Sequence, residues 1–105
     1  MKIRLIVPNF NRKVSPIVAY GRLVAEIVGG FTATQATGGW IDGSNLLVVE
    51  PVTVFDITLL GAFHGPDHES GRVELLRNLA RKIAAELRQD YVYLEIDGEV
   101  EFVRA

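Results

Sequence analysis

Thr32, Trp40, Glu50, Tyr91 and Tyr93 are the residues of this chain whose side chains best suit the grip of a small molecule. An indole and two phenols offer stacking faces, the threonine hydroxyl both donates and accepts hydrogen bonds, and the carboxylate accepts them. Trp40, the chain's single tryptophan, ends the stretch GGFTATQATGGW, residues 29–40, which packs four glycines and three threonines into twelve positions. Two readings of that stretch stand side by side. Gly29-Gly30 can stop a helix and Gly38-Gly39 can bulge a strand, turning Trp40 inward to close part of the core. Alternatively the glycines let a ligand approach the backbone, with Thr32, Thr34 or Thr37 and Trp40 as its contacts.

Other constellations are weaker. His64-Gly65-Pro66-Asp67-His68-Glu69 brings together imidazoles and carboxylates suited to zinc or manganese. Its spacing matches no strong metal motif, and Gly65 and Pro66 make it read first as a turn into a helix capped by Asp67 or Ser70, so no metal and no cofactor is assigned. Ser15, Ser44 or Ser70 could be drawn into a triad with His64 or His68, but no nucleophile-elbow sequence surrounds any of them. Glu50 and Asp56 lie about 20 Å apart along an ideal strand, too far to act as a paired acid and base. Neither the G-x-x-x-x-G-K-[ST] phosphate loop nor G-x-G-x-x-G is present.

Composition narrows the classes further. The chain has 105 residues, enough for a single domain spanning 1–105, and no cysteine, which removes disulfides and thiolate chemistry. A net charge of −2 is no footprint for duplex nucleic acid. No apolar run approaches the ~20 residues of a membrane span; the expectation is a cytoplasmic protein without duplex nucleic acid or a membrane as partner. A hydrophobic fraction of 49% with a mean hydropathy of +0.22 is high for so small a domain and points to a homo-oligomer.

The elements that must position these residues follow from periodicity. Residues 2–8 alternate as a strand ended by Pro8. Ser15-Pro16 opens a helix whose apolar stripe runs from Ile17 to Val28, with the Gly29-Gly30 stop behind it. Phe31–Ile41 and Leu46–Leu60 read as strands joined at Asp42-Gly43, the second marked at Pro51 by an edge, kink or bulge. Gly61–Ser70 reads as a loop, followed by a helix with Val73, Leu76, Leu79, Ala80, Ile83, Ala84 and Leu87 on one face. Its Arg72, Arg77, Arg81, Lys82 and Arg88 interleave with Glu69, Glu74 and Glu86, as on a solvated face. Tyr91–Ile96 and Glu99–Val103 form a hairpin around Asp97-Gly98. The order predicts an α+β, ferredoxin-like βαββαβ sandwich with an extra C-terminal β-strand, its two helices on one face of a mostly antiparallel sheet. The other face is left for a docking partner.

Gly29-Gly30-Phe31-Thr32, Gly38-Gly39-Trp40, Glu50 and Gln89-Asp90-Tyr91-Val92-Tyr93 together resemble a family of small bacterial and phage-encoded domains with the pattern GGxT…GxW…E…Q(D/E)xV. The resemblance covers residues 24–103 and implies a shared fold but no chemistry, since the family has no established activity; the loop His64–His68 departs from it. Three functions stay open. The first is a noncatalytic oligomer binding a small molecule or protein partner, in its most specific form a phage-type sponge that sequesters a nucleotide signal. The second is a small dimeric enzyme with Glu50 or His64 as base. The third is an interaction module using the exposed sheet face. The scarcity of converging titratable groups favours binding over catalysis.

Overall fold

A computed structural model describes residues 1–9, 14–59 and 65–105, with the side chains of 65–70 outside that description. The elements run β1 (Lys2–Pro8), α1 (Pro16–Val28), β2 (Thr32–Ile41), β3 (Leu47–Thr58), α2 (Gly65–Glu86), β4 (Tyr91–Ile96) and β5 (Glu99–Arg104). They form one open antiparallel sheet in the order β2-β3-β1-β4-β5, and both helices cover the same face. This is the expected ferredoxin-like βαββαβ sandwich with β5 added at the β4 edge.

Local chemistry explains the boundaries. The Ser15 hydroxyl accepts the Val18 N–H at 3.3 Å, Pro16 fills the first turn, and Gly29 ends α1 at φ 92°, its N–H bonded to the Ala25 carbonyl. Asp97 and Gly98, both at positive φ, make the two-residue turn between β4 and β5. Asp42 pins the β2–β3 turn by accepting the Ser44 and Leu46 N–H groups on one carboxylate oxygen.

Ile3, Leu5 and Val7 of the central strand meet Phe55 and Ile57 of β3 and Val92 and Leu94 of β4 on the helix-covered face. Val24 and Val28 of α1 and Leu76, Ala80 and Ile83 of α2 close over them. Phe31 packs edge-on against Phe55, ring centroids 5.0 Å apart. The Tyr20 hydroxyl donates to Glu86 at 2.8 Å and ties the helices together; burial, reinforced by that carboxylate, pushes its phenol up to about 12. Thr53, a fully buried polar residue, donates to Asn9 and accepts from Gln35, whose own amides are bonded to each other, so no demand is left unmet. On α2, Arg77 bridges to Glu74 and across to Glu101 of β5, and Lys82 lies near Glu86, the ion-paired solvated face expected there.

Three expectations are corrected. The β2–β3 register runs without interruption from Thr32↔Asp56 to Ile41↔Leu47, so Gly38-Gly39 makes no bulge, and of the three readings of Pro51 the edge is the one that holds. Pro51 is tolerated because its nitrogen faces the β1 side, where β1 has already ended: the last pair is Pro8↔Val52, and the Pro51 carbonyl takes the N–H of Asn9. Helix α2 begins at Gly65, ahead of Asp67 and Ser70, with Pro66 as its second residue, where a missing N–H costs nothing. Trp40 is 44% exposed rather than turned into the core, because its place in the β2–β3 register puts it on the sheet face that the helices leave open, with Gly38, Glu50 and Val52. His64 lies outside the described residues, as do the side chains of Asp67, His68 and Glu69.

Candidate functional site

The site arises from a mismatch in strand length. β1 has seven residues and β3 has twelve, so the β2–β3 hairpin continues as an arm after β1 stops at Pro8. Beyond that stop, on the face without helices, the arm and the start of β4 flank a cavity of ≈ 470 Å³. Such a volume falls within the ~300–1,000 Å³ typical of small-molecule sites.

Trp40 and Glu50 line the arm side, Tyr91 and Tyr93 the β4 side, and Ile6, Pro8 and Val52 the floor. Four of the five residues singled out by their chemistry therefore meet in one place, from three strands. Thr32 does not join them. It sits at the other end of β2, opposite Asp56, in a polar cleft with Lys2, Arg4, Glu95 and Asp97. Arg4 there pairs with Asp56 at 3.0 Å and reaches Glu95 at 3.8 Å.

Gly38 keeps the cavity open. It stands opposite Glu50 in the register, and a β-carbon added to it would meet Val52 Cγ1 at 3.2 Å. Gly38→Leu is expected to fill the cavity while leaving the circular dichroism spectrum unchanged; weaker quenching of Trp40 fluorescence by acrylamide in the variant checks this.

The electrostatics are those of a lightly charged cleft. Glu50 is half-buried, and burial raises its carboxyl above the usual carboxylate value. Among the described residues no ion pair or hydrogen bond reaches it. Asp90 stands exposed at the rim. Burial and the neighbouring Glu95 carboxylate raise the Tyr93 phenol, whose hydroxyl donates to Glu95 at 3.4 Å.

Phe102, Gln89 and Asp90 also line the cavity, and Phe102 was not anticipated among its residues. It packs edge-on to Tyr91, centroids 4.8 Å apart, and stands opposite Tyr93. A two-residue turn at Asp97-Gly98 sets that register, so counting outward from the turn would have placed Phe102 beside Tyr93.

Comparison with known proteins gives the fold a precedent. The chain is similar to a phage SAM lyase solved in complex with S-methyl-5'-thioadenosine, with a TM-score of 0.69 and 17% identity, over 99% of this chain and 88% of that one. No protein-family model and no curated protein matches the chain. A phage-encoded protein thus shares the architecture, while the GGxT…GxW…E…Q(D/E)xV pattern has no counterpart in a family model. Among the described residues no helix is long and apolar enough to cross a membrane.

Proposed function

We propose that this chain binds S-adenosylmethionine in the cavity beyond Pro8 and cleaves it, releasing S-methyl-5'-thioadenosine. The observation that carries the reading is the convergence of Trp40, Glu50, Tyr91 and Tyr93 on one helix-free cavity. The fold shared with a phage SAM lyase bound to that nucleoside supports it.

The chemistry suits the site. The aromatic walls stack on a purine and attract a sulfonium through their faces. Glu50 accepts the ribose hydroxyls, as carboxylates commonly do in nucleoside sites. Cleavage breaks the bond between sulfur and the carbon chain of the amino acid. The electron pair stays on sulfur, which becomes a neutral thioether, and the released carbon is taken by the substrate's own carboxylate oxygen. No side chain is consumed and no proton has to be moved by the protein. Because charge disappears from sulfur and from the attacking carboxylate together, a cavity that excludes water favours the reaction.

Sequestration of a nucleotide ligand without turnover is the second reading, which the same aromatic walls of Trp40, Tyr91 and Tyr93 support, since they stack on a purine whether or not it reacts. Trp40, as the single tryptophan and a cavity residue, reports on both readings. S-methyl-5'-thioadenosine is expected to change its fluorescence saturably, and adenine alone more weakly. A flat titration at millimolar nucleoside would refute the site itself.

A further inference from the structure

The end of the β2–β3 arm is apolar on both faces. Trp40 lies on the cavity side, and Ile41, Leu47 and Val49 on the opposite side, with Leu46 at the turn; all five are between 44% and 68% exposed. At roughly 150–200 Å² for a side chain of this size, that exposure leaves on the order of 500 Å² of apolar surface in water, the scale at which a patch stops being ordinary.

The same arm carries an unguarded sheet edge. β2 is the outermost strand and is ten residues long, and its sequence TATQATGGWI holds no charge and no proline. The opposite edge, β5, carries Glu99, Glu101 and Arg104. Long uncharged edges invite strand pairing, and proteins that stay monomeric blunt them with charge, proline or a bulge. Asp42 is the arm's lone charged side chain between Thr32 and Val49, and its carboxylate is engaged in the turn. Two arms can therefore approach without like-charge repulsion.

We infer that the β2–β3 arm is the surface through which this chain associates with a second copy of itself, β2 pairing with β2 and the apolar tips packing together. A symmetric antiparallel pairing satisfies the outward backbone groups of both edges at once. The backbone adds the area that the apolar tips lack relative to the ~800 Å² per partner of a standard interface. This inference does not depend on the ligand.

Two variants test it from different sides. Leu47→Glu with Val49→Lys charges the exposed tip without touching the core. Thr37→Pro acts on the edge alone. Thr37 stands opposite Pro51, whose backbone polar atoms face away from β2, so the Thr37 N–H points outward and its loss leaves the β2–β3 ladder intact. Size-exclusion chromatography with light scattering should give the wild type a mass of at least two 11.6 kDa copies. Both variants should shift to single copies at the same concentration with unchanged circular dichroism, a weakening of about tenfold or more in Kd. A wild type that stays single up to about 100 µM overturns the inference, and so does a double variant that still associates. A single-copy wild type that floats with lipid vesicles also overturns it, and assigns the tip to a membrane surface. Should Thr37→Pro lose its fold, the tip variant decides alone, since its replaced side chains are exposed.

Discussion

Glu50→Gln is expected to slow release of S-methyl-5'-thioadenosine, by weakening its hold on the ribose, and yet to raise the melting temperature at pH 7. Both effects come from one cause. The carboxylate sits in a partly dry cavity, where the proposed ligand would meet it, and burial raises its pKa above the usual 4.5. A carboxyl with a raised folded-state pKa contributes stability in its protonated form. That contribution is complete below the unfolded-state pKa and is lost as the pH rises through the folded-state value. At pH 7 ionised Glu50 is therefore a net cost to the fold, and glutamine, isosteric and neutral, removes it. The stabilisation should fade on acidification and vanish below about pH 4, where Glu50 is itself protonated. Thermal unfolding of both proteins across that range checks the sign. A variant that is less stable at pH 7 would mean that Glu50 has a partner in the folded chain and is structural. A variant with undiminished turnover would remove it from the site.

Phe55→Ala should cost about 3–5 kcal/mol, the range for a fully buried phenylalanine. Phe55 is wholly buried in β3, beside the central strand, and the edge of Phe31 packs on its ring. Its loss removes the apolar transfer energy, leaves a void beneath α1, and forfeits the aromatic pair. Domains of this size have about 5–15 kcal/mol in total, so the variant should unfold tens of degrees earlier or fail to accumulate. Denaturant titration gives the value. A loss below about 1 kcal/mol would mean that the core relaxes around the gap and that the layer over β3 is softer than described.

The fold was legible because its punctuation is local. Ser15-Pro16, Gly29 and Asp97-Gly98 act through backbone geometry within a few residues, and the alternation of β1 and β3 identifies the buried face directly. The start of α2 was misplaced for the complementary reason: Gly65-Pro66 has the chemistry of a turn and equally that of a first helical turn, and only the chain that follows decides. The site was legible as residue types and illegible as a shape. Parity assigns Trp40 to a face only if the strand runs without a bulge at Gly38-Gly39, and the unbroken register puts it on the face without helices. The cavity itself depends on where Pro8 falls against Val52, a long-range register. Thr32 was grouped with Trp40 because they are near in sequence, yet eight residues of extended strand carry it to the other end of the sheet, at about 3.3 Å per residue.

The central claim is cleavage of an adenosyl sulfonium, and the most direct measurement is chromatography of S-adenosylmethionine after incubation with the purified protein. The account predicts S-methyl-5'-thioadenosine in many-fold molar excess over the protein, reduced in Glu50→Gln and lost in Gly38→Leu. Recovery of S-adenosylmethionine intact, with no thioadenosine above the protein-free control, would contradict it.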